Sequence, residues 1–93
     1  MSVASFIEKG WTQGYFARDS NGMICEHYEP QAVSWCIIGA IRAEYPNDFS
    51  QRQKCYNKLE NILGSGLSSV VEFNDNPKRT KEEVLDLIRK AGI

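Results

Sequence analysis

The chain holds a single histidine, His27, and three cysteines, Cys25, Cys36 and Cys55. A thiol or hydroxyl nucleophile needs a base within hydrogen-bond reach. His27 is the sole imidazole for that task. It follows a turn signal, between Glu26 and Tyr28, and is expected to face solvent. No Cys-x-x-Cys pair occurs, whereas a structural zinc site takes four ligands at short spacings. Three scattered thiols therefore read as free, mostly buried cysteines, and no metal or other cofactor is expected. Gly10 and Gly14 bracket Trp11-Thr12-Gln13 but lack the Gly-Lys-Ser/Thr ending of a phosphate loop. Glu82 and Glu83 are accounted for by the start of a helix. With no catalytic set in view, the chain is not expected to be an enzyme.

The residues left with binding chemistry are Trp11, Tyr15, Arg18, Asp19, Asn74, Asp75 and Arg79. Arg18-Asp19 and Asn74-Asp75 each follow an anchored apolar residue in a stretch expected to be irregular, where buried backbone must find partners. One reading makes them a polar clamp, with Arg18 bridging to Asp75 or Asp19 and Asn74 and Asp75 serving as turn or capping groups. It ties a hairpin to the loop before the last helix, and it is the favoured of the two. The other is a pocket beside Trp11 and Tyr15. There an aromatic platform, a cation and amide groups would grip a planar anionic ligand such as a nucleotide. Arg79 lies in the basic run Lys78-Arg79-Thr80-Lys81. That run fits a phosphate or acidic partner at a helix start, or, by the preferred reading, a solvated turn offset by Asp75, Glu82 and Glu83.

The elements that must position these groups follow from caps and periodicity. Ser2 caps a short helix with Val3, Phe6 and Ile7 on one face and Gly10 as its stop. Asp19-Ser20-Asn21-Gly22 is a turn signal whose flanks, Tyr15-Phe16-Ala17 and Met23-Ile24-Cys25, pair as a small hairpin or run as an extended loop near residues 15–27. Pro30 suits the first turn of a helix reaching about Tyr45. That helix is apolar all round, hence central and buried. Gly39 within it implies close approach of a neighbouring backbone or ring. Asn47 or Asp48 caps the next helix, which ends at Gly64, with Phe49, Tyr56, Leu59, Ile62 and Leu63 as its stripe. Ser68 or Ser69 caps a short helical turn carrying Val70, Val71 and Phe73, broken by Asn76-Pro77. Thr80-Lys81-Glu82-Glu83 is a capping box for the last helix. The fold class is mainly α, a compact four-helix domain with a small β-hairpin or extended loop. Trp11 and Phe16 are expected inside, with Tyr15 and Tyr28 partly out.

Ninety-three residues, 42% hydrophobic and 25% charged, fit one globular domain over residues 1–93. Eleven basic against twelve acidic residues exclude a nucleic-acid-binding arm. The first residues are unlike a signal peptide. The longest apolar run, Trp35 to Ile41, is far below the ~18 residues of a membrane span. A cytoplasmic protein without membrane contact is the expectation.

Several ordered motifs together resemble a known family. They are Trp11-Thr12-Gln13-Gly14, Ala17-Arg18-Asp19 with Gly22, Ala32 and Trp35-Cys36 with Gly39-Ala40, and Phe73-Asn74-Asp75 with Arg79-Thr80 and Glu83-Val84. The chain is similar, over most of its length, to small domains of unknown function from bacteria, notably actinobacteria, and their phages. That family has Asp-Pro where this chain has Glu29-Pro30, Trp in place of Phe73 and Gly in place of Lys78. The resemblance brings no established activity. It implies a bacterial or phage setting and, by analogy, an accessory protein that binds a host or phage protein, for example as an inhibitor. A homodimer through Tyr28, Tyr45 or the outer face of the third helix is a further expectation, because the core is small.

Overall fold

The structure, a computed structural model, describes residues 2–93. Ser2 caps α1 (Val3–Lys9), and Ser2 and Ser5 complete a reciprocal capping box. Asp19-Ser20-Asn21-Gly22 closes a hairpin. The Gly22 N–H donates to the Asp19 carbonyl at 3.0 Å, and Gly22 takes the left-handed backbone (φ +78°) that a glycine adopts without strain. The flanking strands are β1 (Ala17–Arg18) and β2 (Ile24–Cys25), antiparallel, with Ala17 opposite Cys25. A third strand, β3 (Ser34–Trp35), lies on the other edge of β1, giving the order β2-β1-β3. Trp35 then bridges to Trp11. Its N–H donates to the Gly10 carbonyl at 2.9 Å, and its carbonyl accepts from Thr12 at 3.1 Å. Ala17, Cys25 and Trp35 form the buried inner row of the sheet.

The strand β3 corrects the sequence reading. The pattern places one helix from Pro30 to about Tyr45, but the chain makes a turn at Glu29–Ala32, a strand, and only then α2 (Ile37–Glu44), with Cys36 as N-cap. Proline's fixed φ serves the second position of a β-turn as readily as the first turn of a helix. Val33, which lies within the span expected to be that buried helix, is exposed beside the hairpin. The buried run Trp35 to Ile41 is nevertheless the centre of the molecule, as its composition requires.

Next come α3 (Phe49–Leu63), capped by Asp48, α4 (Leu67–Asp75), and α5 (Lys81–Ala91), capped by the Thr80–Glu83 box. The expected short helical turn is thus a nine-residue helix, and among the described residues the helices number five rather than four. Its N-cap is Gly66, not Ser68 or Ser69. Ser69 Oγ instead donates to the Gly64 and Gly66 carbonyls. Phe49, placed by periodicity on the inner stripe of α3, is 72% exposed under the Arg52 guanidinium, and Ile62 is also exposed. Trp11 and Phe16, expected inside, are half-buried. One cluster of apolar side chains runs through the molecule, with Ile7, Ile37, Ile41, Leu59, Val70, Val84 and Ile88 fully buried. Here α1 packs on α2 and α5, and α3 on α4 and α5. Cys25, Cys36 and Cys55 are free and buried. No helix of the described residues is long and apolar enough to cross a membrane.

Gly39 sits where α2 passes the backbone of Phe16. A Cβ there would lie 2.0 Å from the Phe16 carbonyl oxygen and 2.9 Å from its carbonyl carbon. The obstacle is backbone held by the sheet, since the same Phe16 carbonyl accepts from Cys36 N–H at 3.1 Å. Gly39→Ala should therefore destabilise the protein by about 3 kcal/mol despite alanine's higher helix propensity. Urea unfolding of the two proteins measures the difference, and an equal or higher midpoint for the variant would contradict this packing.

Candidate functional site

Asn74, in the last turn of α4, is 2% exposed and has every hydrogen-bonding position of its amide filled. Oδ1 accepts from the Trp11 indole at 2.9 Å and from the Ile37 backbone N–H at 3.1 Å. Nδ2 donates to the Thr12 carbonyl at 3.1 Å and to Asp75 Oδ1 at 2.8 Å. The Ile37 bond satisfies an amide at the N-terminus of α2 that has no partner within the helix. Gly39 N–H is met there by the Cys36 thiol at 3.3 Å. Gln13 completes the joint from the other side: its Nε2 donates to the carbonyls of Asn74 (3.0 Å) and Asn76 (2.8 Å) at the end of α4. Asp75 Oδ1 also accepts from Gly14 N–H at 3.0 Å. The segment Trp11–Gly14 is thereby stitched to α4 and to the start of α2.

The Arg18 bridge expected from sequence is not formed. Arg18 bridges to neither Asp75 nor Asp19. Its donors go to Thr12 Oγ1 (2.9 Å) and to the carbonyls of Gln13 and Gly22 (both 3.1 Å), holding the Trp11–Gly14 segment against the hairpin. Asp19 closes the hairpin turn, with Oδ1 accepting from the amides of Asn21 and Met23. Asn74 and Asp75 belong to a helix end, not to an irregular loop. Arg79 stands apart from this group, its guanidinium 3.7 Å from the Phe73 ring centre and bonded to the Phe73 carbonyl and Glu83. Gln13 was visible only as part of a glycine-flanked tripeptide. Its role depends on a carbonyl 61 residues away, and no local pattern signals that.

Of the candidate set, Tyr15, Asn74 and Asp75 meet at a surface groove of about 240 Å³ between residues 14–16 and α4. Phe16, Ile38, Val70 and Val71 supply its apolar walls. Val71 stands 44% exposed. Trp11 and Arg18 do not line the groove; the Trp11 indole is bonded to Asn74, which does. The Tyr15 hydroxyl donates to Glu26 at 3.0 Å, and that bonded carboxylate pushes the phenol pKa up. Cys36 also lines the groove. A helix N-terminus ordinarily favours a thiolate, but burial outweighs the Gly39 amide and raises the Cys36 pKa. Burial likewise raises the pKa of Cys25 and Cys55. All three sulfurs are held as thiols at neutral pH.

His27 departs from expectation. It is half-buried, with Nδ1 inside the protein and unpartnered, and its ring stands edge-on to Phe16 and Tyr28. Burial, then Arg42 and Arg52, push its pKa below the usual value, against a smaller opposing effect of Glu26. Because the folded state disfavours the imidazolium, the unfolded chain takes up the proton first. Stability is complete above the unfolded value of about 6.5 and is lost as pH falls from there through the lowered folded value. Thermal midpoints measured from pH 7.5 down to about pH 5 should fall in the natural protein and fall less in His27→Gln, since no other side chain ordinarily titrates in that window. Parallel curves would refute the assignment.

The amide joint makes a second prediction. Asn74→Asp keeps the acceptors for Trp11 and Ile37 but turns an oxygen toward the Thr12 carbonyl and the Asp75 carboxylate. It should cost about 2–4 kcal/mol at pH 7. Trp11→Phe, which removes one donor from a still-satisfied Oδ1, should cost less. The order of the two urea midpoints checks the geometry.

Comparison of the chain with curated proteins and with solved structures finds no match. A model described as a family of unknown function (DUF6197) matches residues 2–92. That span takes in the sheet, the Asn74 joint and the groove, in keeping with a resemblance that brings no known activity; the chain belongs to the DUF6197 family of unknown function.

Proposed function

We propose that the protein is a non-enzymatic interaction protein that binds another protein through the groove between residues 14–16 and α4. The observation that carries this reading is the division of labour in the candidate set. Trp11, Arg18, Asp19 and Asn74 have their polar groups engaged in bonds within the chain, and the surface beside Asn74 is an apolar groove with Val71 open to solvent. A preformed apolar cleft rimmed by a few fixed polar groups suits the anchor side chain of a partner. The nucleotide reading draws no support from this arrangement, because no arginine or lysine lines the groove. A bacterial or phage protein is the partner expected from the resemblance, with inhibition of a host system as one outcome of such binding.

The test uses the exposed rim. Val71→Glu places a charge in the groove at an exposed helix position, where folding should change little. Immobilised natural protein at micromolar concentration should retain a protein from the lysate of its bacterial host, and the variant should not. A native mass measurement of the eluate distinguishes a foreign partner from a second copy of the chain. Recovery of nothing, or equal recovery by the two proteins, would overturn the proposal.

A further inference from the structure

The groove has a chemical direction. Its walls, Ile38, Val70 and Val71, are apolar, and the rings of Tyr15 and Phe16 add aromatic surface, with centroids 5.4 Å apart and planes at 60°. Among the described residues lining it, only Asp75 is charged. Asp75 Oδ1 is fixed by the Gly14 N–H and the Asn74 amide. Oδ2 accepts no hydrogen bond from a described residue. Two arginines touch lining residues without lining the groove: Arg18 beside Gly14 is bonded to Thr12, Gln13 and Gly22, and Arg42 lies over the Phe16 ring at 4.5 Å.

Each class of occupant meets this surface differently. An anion finds a carboxylate and no cation. A wholly apolar group strips water from Oδ2 and returns nothing to it. An alkyl chain ending in a cation satisfies both parts, with methylenes on the apolar walls and aromatic faces and the charge on Oδ2. Arginine binds carboxylates best through both oxygens at once, but Oδ1 already serves two donors. A lysine ammonium is a point charge and needs only the oxygen that is left. The volume of about 240 Å³ suits one side chain and falls below the ~300 Å³ at which drug-sized pockets begin.

We infer that the groove receives a lysine side chain of the partner protein, with its stem along Val71 and Phe16 and its ammonium on Asp75 Oδ2. This rests on the protein-binding reading above. The test is a titration of the full-length, nitrogen-15-labelled protein with Nα-acetyl-lysine N-methylamide, followed by amide resonances. The norleucine, Nε-acetyl-lysine and arginine counterparts are titrated alongside. The lysine compound should shift Gly14, Tyr15, Val71 and Asp75 in the millimolar range. The neutral counterparts should bind about three- to fivefold more weakly, as expected for one partly exposed ion pair. Asp75→Asn keeps an oxygen for Gly14 and Asn74 and should erase the difference. Equal binding of lysine and norleucine, shifts centred elsewhere, or a preference that survives Asp75→Asn would overturn the inference; arginine binding as well as lysine would overturn the choice of lysine. The titration needs no partner. A lysine preference with nothing retained from lysate therefore sinks the protein partner and leaves the groove a lysine-binding site, and Val71-dependent retention without that preference sinks only the present inference.

Discussion

The structure depends on one carboxamide. Asn74 sits almost fully buried in a core that is otherwise apolar, and such a group is tolerated only when its hydrogen bonds are made. Here all of them are, and their partners come from separate parts of the chain: the Trp11 indole and Thr12 carbonyl, the first amide of α2, and the neighbouring Asp75. Apolar burial drives the helices together without saying where the irregular chain between α1 and β1 must lie. The amide does, because each of its bonds has a direction and a length. A shift of that segment would leave several buried groups without partners at once.

The rest of the polar framework extends this constraint outward. Gln13 holds the end of α4, Arg18 carries the same segment to the hairpin, and Trp35 bonds to Gly10 and Thr12 while its neighbours Val33 and Cys36 bond to Arg18 and Phe16. Gly39 allows α2 to lie against the Phe16 carbonyl. The two-residue strands could not stand as an isolated sheet. They persist because the sheet's inner row is buried against the helices and the Trp11–Gly14 strap closes the edge of β3.

What could be seen in the sequence was local, and what was missed was not. Helix ends marked by local signals were legible, as at Ser2, Asp48, Gly64 and Thr80, since a cap and the backbone group it satisfies lie within a few residues. Gly39 was legible as a close approach, though the backbone it admits proved to be Phe16 rather than a ring. The stretch from Pro30 to Cys36 was misread because a short apolar run carries no period that separates a buried strand from a buried helix. What decides there is pairing with Ala17 and Trp11, which lie far away in the chain. Phe49 shows the same limit from the other side, since its place in the α3 periodicity says nothing of the Arg52 guanidinium that covers it outside the core. The candidate site was half visible. Asn74-Asp75 and Arg18-Asp19 drew notice as polar pairs near anchored residues, but an arginine beside acids invites an ion pair, and this one serves neutral oxygens instead.

The joint and the groove are connected by Asn74 and Asp75, which belong to both. A surface cleft in so small a domain would ordinarily close or shift with its side chains. This one has a floor that cannot move without breaking the bonds that define the fold. Its carboxylate is set in place before anything arrives, by the Gly14 amide on one side and the Asn74 amide on the other. Ordering an interface on binding costs about 0.5–1.5 kcal/mol for each flexible side chain immobilised. A groove whose polar group is already fixed avoids that cost on its own side and leaves it to the incoming chain. The same bonds that determine the path of the irregular segment therefore also fix Asp75 Oδ1 at the adjoining surface and leave Oδ2 without a bond, which is the feature the proposed lysine contact relies on.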